Sequence, residues 1–77
     1  MKEVYYKFYQ RRVKETYYFK FVYHEKDARE VFQWCGEGGW ANVNAPYAPH
    51  DLGWYLQMVA YKKFKEIKYN DLVLAIL

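Results

Sequence analysis

Residues 27–35, Asp-Ala-Arg-Glu-Val-Phe-Gln-Trp-Cys (DAREVFQWC), decide how much of this chain is helix. Asp27 is followed three residues later by Glu30, the spacing at which an N-cap acid and a glutamate each satisfy an orphan backbone donor at a helix start. Ala28, Val31, Phe32 and Cys35 then recur at i, i+3, i+4 and i+7, which is one apolar face of a helix. Gly36 stands where a C′ residue takes the left-handed conformation without strain. The stretch therefore predicts a short helix, with Cys35 on its inner face as a small buried hydrophobe.

On the N-terminal side of this stretch the period changes to two. In residues 4–11, VYYKFYQR, one face is Val4, Tyr6 and Phe8 and the other is Tyr5, Lys7, Tyr9 and Arg11. In residues 16–23, TYYFKFVY, Tyr17, Phe19, Phe21 and Tyr23 alternate with Thr16, Tyr18, Lys20 and Val22. Both runs are rich in the aromatic and β-branched residues that suit a half-buried pleated surface. The polar segment 11–15 between them is short enough for a hairpin but lacks the Asn-Gly or Gly signal of a tight turn, so a looser turn is expected.

On the C-terminal side nothing periodic appears from Gly36 to about His50, a long loop for so short a chain. Asp51, or the pair Ala48-Pro49, is expected to restart a helix, with Leu52, Leu56, Val59, Phe64 and Ile67 along one stripe. The run LVLAIL within residues 70–77 has no diagnostic period. It reads as a strand, or as a short helix capped by Asn70. The strand is preferred, because an isolated two-stranded sheet is only marginally stable. The expected fold class is thus α+β over residues 1–77 as one small domain: N-terminal antiparallel β-hairpin, short helix, long loop, longer amphipathic helix, and C-terminal strand or short helix.

The composition bears on where this domain works. Among 77 residues there are ten Tyr, five Phe and three Trp, more rings than one small core holds. Some are therefore expected on the surface, where Tyr and Trp anchor interfaces. The single cysteine excludes an intramolecular disulfide and points to a reducing compartment, the cytoplasm. The N-terminal residues MKEVYYKFYQRR hold no apolar run before a small-residue cleavage site, and no segment reaches about 18 apolar residues, so neither secretion nor a membrane partner is expected. Residues 1–26 carry seven basic and three acidic groups, 27–53 one and four, and 54–77 four and two. Basic ends flank an acidic middle, a weaker footprint than a dedicated nucleic-acid binder shows.

Catalytic and metal chemistry find little support. A Cys35 thiolate needs a base such as His24 or His50 within reach, and the buried position expected for it favours inertness. Structural zinc calls for paired short ligand spacings, which His24, Cys35, Glu37, His50 and Asp51 lack. Gly36-Glu37-Gly38-Gly39 has no Lys-Ser/Thr beside it and follows a helix signal, so it is no phosphate loop. No catalytic residue, metal or cofactor is expected.

Two surfaces remain. The outward hairpin face gathers Tyr5, Lys7, Tyr9 and Arg11 opposite Tyr18 and Lys20, aromatic rings mixed with positive charge, as single-strand binders use for stacking and phosphate neutralisation. The same pattern also describes a solvated sheet face, or one covered by the second helix. The long loop offers Trp40 and Tyr47, either as a partner's anchors or as a cap on the core. In composition alone the chain resembles the small aromatic-rich proteins with which phages and other mobile elements block host enzymes. That resemblance implies a non-enzymatic protein-binding module, an inhibitor of a host defence complex acting by steric occlusion. The alternative reading is a small single-stranded nucleic-acid binder using the basic-aromatic sheet face, and a third is a homodimer that buries the exposed rings.

Overall fold

The structure, a computed structural model, describes residues 1–25, 27–43 and 50–77, with residues 27–29 described by their backbone alone. Its elements in chain order are β1 (Lys2–Gln10), β2 (Glu15–His24), β3 (Asp27–Trp34), a 3-10 turn (Gly36–Gly38), β4 (Trp40–Asn42), α1 (Leu52–Ala60), β5 (Lys65–Ile67) and α2 (Tyr69–Ile76). The fold is α+β. The strands form one antiparallel sheet in the order β4-β3-β2-β1-β5.

The period-two reading of the hairpin matches the register. Tyr6 lies opposite Phe19 and Phe8 opposite Tyr17, on one face, while Tyr5 faces Lys20 and Lys7 faces Tyr18 on the other. The turn occupies residues 11–14, with Lys14 in the left-handed region at φ 54°. Arg11, expected at the end of the outward strand face, is thus the first turn residue.

Residues 27–35 do not form the expected helix. Asp27–Trp34 is β3, paired to β2 from Phe19–Gln33 to His24–Asp27. The apolar residues of this stretch satisfy either period, and the helix reading placed Cys35 inside and Trp34 off the apolar stripe. The structure reverses both, with Trp34 half-buried and Cys35 exposed. Val31, fully buried, points into the core, and Phe32 points to the opposite face. Non-local pairing with a strand already in place outweighs the local helix signal, since intrinsic propensity is a weak prior. The pairing shifts between Val22 and Tyr23: Glu30 faces Val22 but Ala28 faces Tyr23, so Arg29 is the extra residue of a β-bulge.

The first part of the segment expected to be a loop instead continues the sheet through the 3-10 turn and β4, while residues 44–49, Ala48-Pro49 among them, lie outside the described residues. Trp34 pairs with Trp40, and the β3–β4 hairpin closes through the Cys35 N–H donating to the Gly39 carbonyl at 2.8 Å. Gly36 and Gly39 sit at φ 63° and 69°, where a side chain would be strained. Gly36 does adopt the left-handed conformation expected of it, but in a hairpin rather than a helix stop.

Asp51 caps α1, its Oδ1 accepting the Trp54 N–H at 2.9 Å. This helix stops at Ala60, before the end of the stripe read from the sequence. The Lys62 N–H donates to the Val59 carbonyl and the Lys63 N–H to the Met58 carbonyl, a Schellman closure with Lys62 at φ 58°. The chain then turns back, so that Phe64 lies in the core and Ile67 on β5. The C-terminal run is a helix, correcting the preferred strand. Leu72 is buried at the i position, Ile76 is half-buried at i+4, and Leu74 is exposed. The third strand on the hairpin is supplied by β3, and β5 flanks its other side.

The core lies between α1 and the first face of the sheet. Tyr6, Phe19, Phe21, Val31, Val43, Tyr55 and Phe64 form one buried cluster, with Trp54, Leu56 and Val59 packed against it. Phe19 stacks on Phe64 at 4.6 Å between centroids and meets Tyr55 edge-on at 5.6 Å. Aromatic pairs of this kind contribute about 0.5–1.5 kcal/mol each beyond area burial. Val22 and Leu72 are buried outside this cluster, and Val22 belongs to the second face.

Candidate functional site

The second face of the sheet holds two adjoining zones. The first is an aromatic ledge. Across the strands, Tyr5 lies opposite Lys20, Lys20 opposite Phe32, and Phe32 opposite Asn42. Two residues along, Trp34 and Trp40 form a T-shaped pair 5.2 Å apart. Trp40 also approaches Tyr5 at 6.1 Å, and Tyr5 meets Tyr69 at the start of α2 at 5.3 Å. The Lys20 Nζ lies 4.8 Å from the Phe32 ring centroid and 5.2 Å from that of Trp40, within cation–π range of both. The Tyr5 hydroxyl donates to Glu3 Oε2 at 2.6 Å. Burial first, then this bond and the nearby carboxylate, push the Tyr5 phenol well above its ordinary range. The ring is thereby held neutral and fixed in place.

Trp40 is half-buried rather than fully enclosed, and its partners are Tyr5, Trp34 and Lys20 rather than the main aromatic core. The structure thus gives it a place on the sheet face, as a strand residue of β4.

The second zone is a basic groove of about 430 Å3 at the turn end of the β1–β2 hairpin. Lys7, Tyr9, Arg11 and Tyr18 line it from β1, the turn and β2, and Lys63 and Lys65 line it from the chain that follows α1. The register explains the gathering: Lys7 is opposite Tyr18 on one side and Lys65 on the other, so these three side chains stand in one row across β2, β1 and β5. Among the described residues that line the groove there is no carboxylate.

Of the residues singled out from the sequence, Tyr5, Lys20 and Trp40 therefore meet in the ledge, and Lys7, Tyr9, Arg11 and Tyr18 meet in the groove. Tyr47 lies outside the described residues. Phe32, Trp34, Tyr69, Lys63 and Lys65 were not anticipated. The alternation of Val31, Phe32, Gln33 and Trp34 was the signal for the first two, hidden by the helical reading. Helix α1 packs on the opposite face from the ledge, so the expected cover by the second helix is not what protects this surface; α2 reaches it at Tyr69.

Comparison with protein-family models, with curated protein sequences and with solved structures found no match. The residues themselves must therefore indicate the chemistry. Cys35, exposed in its turn, has its thiol 3.5 Å from the Gln33 carbonyl, and the His50 ring stacks on Trp54 at 3.8 Å. The buried, helix-borne Cys35 of the sequence reading is thus corrected to an exposed hairpin residue. Among the described residues no three His, Cys, Asp or Glu side chains come together as a metal site, and no helix is long and apolar enough to cross a membrane.

Proposed function

We propose that this chain is a non-enzymatic protein-binding module that docks through the aromatic ledge and acts by steric occlusion. The observation that carries the reading is the Trp34–Trp40–Tyr5–Tyr69 row with Lys20 laid across it. The half-buried Trp34, Trp40 and Tyr5 and the exposed Tyr69 supply large contact area at little conformational cost, and the neighbouring cation adds a directional contact. The ledge rests on strands paired across the whole sheet, so its rings are held in place before a partner arrives. An inhibitor of a larger host complex, of the kind phages and mobile elements direct against defence systems, is the setting that joins this small scaffold to an occluding role.

The test is capture from candidate host lysate by the tagged chain after nuclease treatment, run beside Trp40→Ala and Lys2→Ala. One protein retained by the unaltered chain and by Lys2→Ala, and lost with Trp40→Ala, is the expected result. Binding to the identified partner is then measured directly, with a loss of about 2 kcal/mol, roughly 30-fold, expected for Trp40→Ala. Equal affinity of the two variants for that partner, with both correctly folded, overturns the ledge as its docking site.

A further inference from the structure

We infer that the basic groove is a second binding site, separate from the ledge, that takes a single-stranded nucleic acid. Four cations, Lys7, Arg11, Lys63 and Lys65, converge on it from two separated parts of the chain, and no carboxylate among the described lining residues offsets them. Such a gathering is costly to maintain by self-repulsion and is relieved by a polyanion. The groove also carries two rings, Tyr9 and Tyr18, beside the charges. Tyr9 is 54% exposed. An acidic protein surface offers carboxylates without a regular alternation of flat groups, whereas a single strand presents phosphates and base faces in alternation. A duplex has its bases stacked internally and offers only the phosphates.

The geometry assigns a role to each group. Tyr18, Lys7 and Lys65 form a row across β2, β1 and β5, so a ring stands at one end and two ammonium groups follow along one line. Tyr9 lies two residues along β1 from Lys7, about 7 Å away at the strand rise, and Arg11 follows at the turn. A strand laid along β1 thus meets base-stacking and phosphate-binding groups by turns. The alternation of rings and cations serves contacts to backbone and base faces, so binding is expected to be tolerant of sequence.

The experiment is titration of a fluorescent oligothymidylate with the purified full chain at several salt concentrations. Neutralising four phosphates on a single strand gives a slope of log K against log salt of roughly −3, a weakening of roughly 50-fold between about 50 and 200 mM salt. The double variant Lys7→Ala/Lys65→Ala is expected to lose at least tenfold in affinity, and Tyr18→Ala to weaken binding while leaving the salt slope unchanged. Lys2→Ala, at the opposite end of the sheet, keeps full affinity. Circular dichroism shows that each variant is folded. Absence of binding at about 50 mM salt overturns the site. An equal loss with Lys2→Ala overturns it in favour of diffuse charge, and equal affinity for a polyglutamate peptide overturns it in favour of an acidic protein ligand. None of these outcomes depends on the ledge or its partner, so the two readings fail separately.

Discussion

The ammonium of Lys20 lies 5.2 Å from the ring centroid of Trp40, two strands away across the sheet, and 4.8 Å from that of Phe32, its register partner on the intervening strand. This contact ties the edge strand β4, only three residues long, to the central strand β2 through side chains on the second face. Its electrostatic part is separable from packing. Lys20→Met keeps an aliphatic stem over both rings and removes the charge, so it is expected to cost about 0.5–1 kcal/mol. The measurement is urea unfolding, in which the midpoint falls and the slope is unchanged.

Phe64 is the residue on which the core most depends. It belongs to neither α1 nor β5, yet it touches Phe8, Phe19, Phe21, Trp54 and Tyr55. Phe64→Ala leaves a cavity under the sheet and is expected to cost about 3–5 kcal/mol. Set against a total of about 4–12 kcal/mol for a chain of this length, that loss is a large fraction of the whole stability. Leu74→Ala, at a position 76% exposed, is expected to stay within about 0.5 kcal/mol. Thermal unfolding of the two variants side by side checks the contrast.

What could be read from the sequence divides along the range of the forces involved. The hairpin faces of β1 and β2 were legible because strand alternation is local and each run is bounded by polar residues. The segment 27–35 was not, because Asp27, Glu30 and the apolar spacing meet the local requirements of a helix while the deciding contact, Val31 against Phe21, lies ten residues away in an adjacent strand. Four of the groove residues, Lys7, Tyr9, Arg11 and Tyr18, were visible as one strand face. Lys63 and Lys65 join them only because the chain reverses after α1, and that reversal has no glycine to announce it. The C-terminal run was ambiguous for a related reason, since Leu72 and Ile76 define a helical face only once a surface exists to bury them.

The missing glycine leads to a stabilising substitution. Lys62 occupies the C′ position of the Schellman closure at φ 58°, a conformation in which a side chain costs about 1 kcal/mol that glycine avoids. Lys62 does not line the basic groove. Lys62→Gly is therefore expected to stabilise the fold by about 0.5–1 kcal/mol, less the backbone entropy that glycine adds to the unfolded chain. A higher melting temperature with unchanged oligonucleotide affinity is the expected readout. Lys62→Ala, which keeps the strained conformation, shows no such gain.

Alkaline pH is expected to unfold the protein through its buried phenols. Burial raises the ionisation of Tyr6 and Tyr55 above the ordinary tyrosine value, aided at Tyr6 by its bond with Tyr23, and Tyr5 is raised by burial and Glu3. In the unfolded chain these groups ionise near pH 10. The folded state therefore holds protons that the unfolded state releases above that value. Their stabilising contribution is fully present below about pH 10 and is lost as pH rises towards their folded values. The part of the tyrosinate absorbance that Tyr5, Tyr6 and Tyr55 contribute should then rise in one cooperative step that coincides with loss of the far-ultraviolet dichroism. Tyr55 gives the cleanest variant, since burial is the sole cause of its shift and its ring is 2% exposed. Tyr55→Phe keeps the ring against Phe19 and removes the titrating group, so its unfolding transition should move to higher pH. An unmoved transition would show that the alkaline limit is set by the other two phenols.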